Sequence, residues 1–269
     1  MKKLFTEEQE NYIRENYRTM EYKEIAKNLS STERQVRGWV NSHKLSKLRK
    51  INDHYFDTID SPLKAYFLGY IYADGWVIFD PKNRNYEFGI ELQSDDKYIL
   101  EKLNDELGGK NIILHKFPKD KVINGVKTRS GDIDSLRIYS KNIVSGLYSN
   151  GIVTQKTQKD IYPIVNENYF FDYLRGYIDG DGCFYKYKNN YIYLHITCSS
   201  IENLKYCQYQ LDKYNINSKI YKENDKKYRL FITDQNEMKK LVNHLYYADD
   251  LFCLKRKYEK IKHYIGSAV

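Results

Sequence analysis

A nine-residue segment, Phe67-Leu68-Gly69-Tyr70-Ile71-Tyr72-Ala73-Asp74-Gly75, returns as Leu174-Arg175-Gly176-Tyr177-Ile178-Asp179-Gly180-Asp181-Gly182, and Asp74 and Asp181 stand 107 residues apart. Gly, Tyr, Ile, a small residue, Asp and Gly recur in one order. A single copy reads as a helix ending at an Asp-Gly turn. Two copies, each followed by strand-like sequence, specify a duplicated unit. The flanks repeat too. Leu100 to Leu103 matches the helical stretch Leu204 to Leu211, Ser135 to Ser140 alternates like Tyr228 to Thr233, and Lys156 has a counterpart near Lys257. Each copy therefore reads helix, two strands, helix, two strands, helix. The first copy has the longer second hairpin, with Asn124-Gly125 and the basic residues Lys119, Lys121, Lys127 and Arg129. The join lies near Pro163 to Asn168, so the copies span 55–160 and 168–264.

The motif helices carry the chemistry. Ser61-Pro62 opens the first, with proline at its natural first position. Gly69 and Ala73 share a face, as do Gly176 and Gly180, because residues four apart lie on one side of a helix. Small residues there let two backbones approach closely. Packed through that face, the helices run side by side and Asp74 and Asp181 meet at their C-terminal ends. Each end already carries partial negative charge. Two carboxylates held together raise each other's pKa. A divalent cation resolves the conflict. Few hard oxygen ligands, open to water, suit Mg²⁺, with Mn²⁺ or Ca²⁺ able to take its place. Metal-assisted phosphodiester hydrolysis follows.

Residues 1–50 read as helices only. Thr6 with Gln9 is a capping box before a helix running to about Asn16. Tyr22 to Leu29 carries Ile25, Ala26 and Leu29 on one face, and Thr32 with Gln35 caps a third helix through Val36, Trp39 and Val40. A short helix, a tight turn and a third helix make a helix-turn-helix. Arg34, Gln35, Arg37, Asn41 and His43 are its candidate base readers, and Lys44, Lys47, Arg49 and Lys50 its phosphate neutralisers.

Composition narrows the classes. With a net charge of +8, the chain favours a polyanionic partner. It has no run of 18 apolar residues, which excludes a transmembrane helix. Its N-terminus turns acidic where a signal peptide needs an apolar stretch. Cys183, Cys198, Cys207 and Cys253 form no CxxC pair, so neither a zinc ribbon nor a disulfide framework is expected, and a reducing cytoplasm fits them.

The doubled motif resembles the LAGLIDADG homing endonuclease family in its single-chain, two-repeat form, over roughly residues 55–264. The resemblance implies an α+β fold: two pseudo-symmetric αββαββα repeats forming a saddle astride double-stranded DNA, here preceded by the all-α module. It implies a monomer that cleaves both strands at a long, nearly asymmetric site. Asp74 and Asp181 are then the metal-binding acids, helped by the carbonyls of Ala73 and Gly180. Lys156 and Lys257 match the basic residue near each scissile phosphate, with Lys255 or Arg256 as alternatives to Lys257. Gln93 matches a water-positioning group, its partner lying around Thr197 to Ser200. Tyr72 departs from the motif where Asp179 keeps it. No intein splicing motif is found, which favours a freestanding or intron-encoded enzyme in a bacterial or phage-infected cell. The competing reading is a relative that binds DNA or RNA without cutting, as a maturase or regulator.

Strands of such a saddle present alternate side chains to DNA. With Phe88, Ile90 and Leu92 facing inward, Glu87, Glu91 and Gln93 face outward; with Ile192, Leu194 and Ile196 inward, Tyr191, Tyr193, His195 and Thr197 face outward. Tyr185, Tyr187 and Asn189 extend the second surface, and Lys82, Arg84, Lys127 and Arg129 reach DNA from turns and hairpins of the first.

Overall fold

The computed structural model describes residues 4–17, 20, 22–43, 45, 51–109, 111–118, 120–123, 126–129, 131–156, 159, 161–187, 191–225 and 227–266. The chain forms two units, Met1–Lys50 and Ile51–Val269.

In the first unit, α1 (Glu7–Asn16), α2 (Tyr22–Asn28) and α3 (Glu33–Ser42) bury Phe5, Ile13, Ile25, Val36, Trp39 and Val40 in a core of their own. Both expected capping boxes form, Thr6 with Gln9 and Thr32 with Gln35, satisfying N–H groups that a helix start leaves unpaired. Ser30 turns the chain at a φ of 51° between α2 and α3.

The second unit holds both repeats. The first runs α4 (Pro62–Asp74), β1 (Gly75–Asp80), β2 (Asn85–Gln93), α5 (Lys97–Glu106), β3 (Ile113–Lys116), β6 (Ile133–Ile138) and α6 (Lys141–Ser149). The longer hairpin becomes a separate two-stranded sheet, β4 (Asp120–Ile123) with β5 (Val126–Arg129), inserted between β3 and β6. The second repeat runs α7 (Phe170–Asp181), β7 (Gly182–Lys186), β8 (Ile192–Cys198), α8 (Ile201–Asp212), β9 (Lys219–Asn224), β10 (Lys227–Ile232) and α9 (Gln235–Leu245), and α10 (Lys255–Ile261) follows. The sheets are antiparallel, in the matching orders β1-β2-β6-β3 and β7-β8-β10-β9. This is the expected α+β saddle of two repeats. No described helix is long and apolar enough to cross a membrane.

Alternation decides which strand face meets the core. Phe88, Ile90, Leu92, Leu136 and Ile138 are buried from the first sheet, and Phe184, Ile192, Leu194, Ile196 and Leu230 from the second. Between the layers, α4 and α7 pack backbone to backbone. A Cβ on Gly69 would lie 2.0 Å from the carbonyl oxygen of Tyr173, and one on Gly176 would lie 1.9 Å from that of Tyr66. No side chain fits either place, which explains why glycine stands at both. A Cβ on Gly180 would lie 2.2 Å from the Ala73 Cβ.

Candidate active site and strand faces

Ser61 caps α4 by accepting a hydrogen bond from the Lys64 amide, and α4 ends at Asp74 as α7 ends at Asp181. Because the two helices touch along their length, their last residues come together. The Asp74 carboxylate lies beside Gly180, at 3.2 Å from where a Cβ on that glycine would sit. Both acids reach solvent, yet protein crowds their carboxylates. Partial desolvation raises the pKa of Asp74, and desolvation together with the Asp74 charge pushes Asp181 up to about 6. Among the described residues no group of three His, Cys, Asp or Glu is arranged to hold a metal ion. The donor set is two carboxylates and neighbouring main-chain oxygens. That set fits a hard divalent cation that keeps waters of its own.

The lysines do something the sequence did not reveal. Lys156 Nζ donates to the carbonyls of Ile71 at 2.9 Å, Ala73 at 3.2 Å and Gly75 at 2.7 Å. Lys257 Nζ donates to those of Ile178 at 2.7 Å, Asp179 at 2.6 Å, Gly180 at 3.2 Å and Gly182 at 2.6 Å. Each ammonium thus caps the C-terminal end of its motif helix, where exposed carbonyl lone pairs and the helix dipole favour a cation. Burial lowers each lysine to about 8 against the attraction of the nearby carboxylates. The carbonyls of Ala73 and Gly180, expected as metal helpers, each accept a lysine proton at the longest distance in the set. A carbonyl oxygen has a second lone pair, so each keeps one position for another ligand. Lys257 is the residue at the helix end. Arg256 instead pairs with Asp96 at 3.0 Å, and Lys255 Nζ sits 4.9 Å from the centre of the Tyr98 ring.

Asp179 and Tyr72 occupy matching positions with different duties. Buried Asp179 accepts from the Tyr66 hydroxyl at 2.9 Å and from the amide of Leu254, the N-cap residue of α10, at 2.6 Å. It thereby fixes the start of the helix that bears Lys257. Tyr72 packs edge-on against Tyr177 and lies under Lys156, which rides on a turn instead of a regular helix. Tyr72, Ala73, Lys156, Asp181, Thr197 and Ser199 line a cavity beside the helix ends.

Gln93 ends β2 and is exposed, next to Gly131. Ile90 pairs with Gly75 and Ile196 with Gly182, so strand register makes Ser199 its second-repeat counterpart. Of the expected outward residues, Glu87 and Glu91 are held in ion pairs. Glu91 binds Lys116 and sits 3.4 Å from Arg137, which lies 3.7 Å from Glu87. These acids are half-buried and paired with neighbouring cations. Lys82 and Arg84 are exposed at the β1–β2 turn, Arg84 at a φ of 53°. Arg129 is exposed. Tyr185, Tyr187 and Tyr191 are exposed, while Tyr193, His195 and Thr197 are half-buried on the same face. Asn189 and the side chain of Lys127 lie outside the described residues, as do Lys44, Lys47, Arg49, Lys50 and Lys119.

On α3, Arg34, Arg37 and Asn41 are exposed, and Gln35 is half-buried with its side-chain oxygen in the capping box, accepting from the Thr32 amide at 2.9 Å. Arg37 pairs with Glu33. Sequence reasoning missed the Asp96–Arg256 pair, which links the two repeats, and Asp179 as the clamp on α10. The only signal for the last was the departure at Tyr72.

Residues 169–246, within the second repeat, match the family described as LAGLIDADG-like domain. Among solved structures, the homing endonuclease I-WcaI bound to its DNA recognition sequence has a TM-score of 0.54 at 14% identity, over 76% of this chain and 87% of that one. A mutant of I-SmaMI has a TM-score of 0.50 at 14% identity, over 75% and 88% of the two chains. The likeness is one of fold.

Proposed function

We propose that the protein is a monomeric, site-specific homing endonuclease that hydrolyses both strands of DNA with a divalent metal at a long, nearly asymmetric target. One observation carries this reading: two carboxylates, one from each repeat, converge at abutting helix ends, and a lysine ammonium caps each end. The fold shared with I-WcaI, a homing endonuclease bound to its recognition sequence, supports it.

Asp74 and Asp181, with the free lone pairs of Ala73 and Gly180, would hold Mg²⁺, or Mn²⁺ or Ca²⁺ in its place. The metal, when bound, supplies charge stabilisation at the phosphate and a more acidic water. The chain's own groups do the rest. Lys156 and Lys257 neutralise the helix ends and bring positive potential to where a phosphate approaches. Gln93 and Ser199 stand at matching strand ends, where each is placed to orient a water. The strand faces and turn cations hold the duplex, and the first unit adds affinity and reach through Arg34, Arg37 and Asn41. The protein then works on chromosomal or phage DNA in the cytoplasm.

The test is cleavage of supercoiled plasmids carrying the loci that flank the gene, in Mg²⁺ and in EDTA. Linear product only with Mg²⁺ is expected, with binding that weakens steeply with salt, the log–log slope changing by about 0.9 per phosphate contact. Specific, salt-dependent binding without any cut in Mg²⁺ or Mn²⁺ would place the protein with non-cleaving relatives such as maturases and regulators. Absence of both would overturn the proposal.

A further inference from the structure

The outer faces of the two sheets fill matching positions with different chemistry. In the second sheet Tyr185, Tyr193, His195, Phe231 and Tyr221 form a row that crosses all four strands. Ring centroids are 5.2 Å apart for Tyr185–Tyr193, 6.4 Å for Tyr193–Phe231, 5.6 Å for His195–Phe231 and 5.6 Å for Tyr221–Phe231. Their strand neighbours Phe184, Leu194 and Leu230 are buried, so the row lies on the face away from the core. Tyr185 is 50% exposed and Tyr221 54%. Lys219 stands exposed on the same face, and Arg229 pairs there with Glu223 at 2.8 Å.

Strand register carries the row onto the first sheet. The pair Ile78–Glu87 stands where Tyr185–Tyr193 does, Gly89–Arg137 where His195–Phe231 does, and Ser135–Leu114 where Arg229–Tyr221 does. Five rings are thus replaced by Ile78, Glu87, Gly89, Arg137 and Leu114. Glu87 and Arg137 pair with each other, and Arg137 lies over the Trp76 ring at 5.4 Å.

We propose that the two sheets read half-sites of opposite composition: the second sheet a half-site rich in T·A pairs, recognised through thymine methyl groups, and the first a half-site rich in G·C pairs. This rests on the DNA-cleavage reading above. The thymine 5-methyl is the apolar group a major groove offers, and aromatic edges bury it; a guanidinium fork matches guanine, and a carboxylate accepts from cytosine. Exposed Lys219 matches the phosphate backbone, which fixes position but carries no sequence. A row of rings locked to one another on four strands loses little freedom on contact.

The experiment uses the full chain in EDTA. Binding sites are selected from a randomised duplex pool, and thymines in each half of the winners are then replaced by uracil, which lacks the methyl group. Tyr221→Ala and Phe231→Ala identify the half read by the second sheet, and Arg137→Ala the other. Tyr221 and Arg137 lie on the solvent face, so both variants are expected to melt as the parent does. The expected result is a thymine-rich half whose preference Tyr221→Ala relaxes, with affinity falling about fourfold per uracil, the worth of one buried methyl group. Arg137→Ala relaxes only the other half. A G·C-rich or uracil-indifferent half under Tyr221→Ala overturns the inference while leaving the DNA reading intact. A pool that yields no enriched sequence overturns both.

Discussion

At the end of α4, Lys156 gives its ammonium to the carbonyls of Ile71, Ala73 and Gly75; at the end of α7, Lys257 does the same for Ile178, Asp179, Gly180 and Gly182. Away from this axis the repeats part company. Leu68 lies in the core where Arg175 forms a buried ion pair with Asp172 at 2.7 Å. Tyr72 stands where Asp179 clamps α10, and Ile78, Glu87, Gly89, Arg137 and Leu114 face one sheet where five rings face the other. The lesson is one of constraint. Helices whose backbones touch leave no room for variation, and their ends must be capped in either copy. A solvent-facing strand position has no such neighbour, so the two copies can diverge there and read different sequences.

The largest expected effect comes from breaking the shared axis. Gly176→Ala forces a methyl group against the Tyr66 carbonyl and should cost about 4 kcal/mol or more, enough to prevent folding of the second unit. Gly38→Ala, on α3 with nothing within 4 Å of the added carbon, should instead stabilise the first unit by about 1 kcal/mol. Thermal melts of both variants check the pair. Equal effects would show that the α4–α7 contact is looser than described.

Next come the caps. Lys257→Met leaves the carbonyls of Asp179, Gly180 and Gly182 without its ammonium, while Ile178 keeps the Gly182 amide, and removes a cation that favours the buried Asp179 carboxylate, which should cost about 3 kcal/mol. Lys156→Met leaves the carbonyls of Ala73 and Gly75 without its ammonium, while Ile71 keeps the Gly75 amide, and should cost about half as much. Urea unfolding of each variant, with plasmid cleavage alongside, sharpens the comparison. A larger loss from Lys156→Met would reverse the order in which the two halves depend on their caps.

A smaller effect is tied to pH. In the folded protein Asp181 is raised to about 6, above the value of an unfolded chain. Between those two values the native state holds the extra proton, so stability without metal is greatest at acid pH and falls as pH rises through 6. Solvent reaches the carboxylate and screens the effect, leaving about 1 kcal/mol. Asp181→Asn should recover that at pH 7.5 and flatten the slope from pH 4 to 6.5, measured in EDTA by urea unfolding. A variant less stable than the parent at neutral pH would mean the acids are not in conflict.

Much of this was legible in the sequence. The 107-residue offset set the repeats, the four-residue spacing of Gly69 with Ala73 and of Gly176 with Gly180 set the axis, and alternation set the inward strand residues. The extra hairpin in the first repeat was legible from its length and Asn-Gly turn. What was hidden depends on distant partners. Nothing local says that a lysine reaches back 85 residues to the carbonyl of Ile71. Nothing local says that Glu91 is paired with Lys116, or that Asp96 meets Arg256 across the repeats. Gln35 was visible both as a cap and as an exposed polar residue, and its oxygen takes the cap.

The central claim is that one site is built from two acids, each delivered by a different repeat. Supercoiled plasmid carrying the target, incubated in Mg²⁺ with Asp74→Asn or with Asp181→Asn and scored for nicked and linear product, tests it most directly, with a binding assay on the same preparations. Each variant should bind at least as well as the parent, since negative charge near phosphates is lost, and should yield no linear DNA, at most a nick confined to one strand and differing between the two variants. Linearisation at the parental rate by either folded variant would contradict the account.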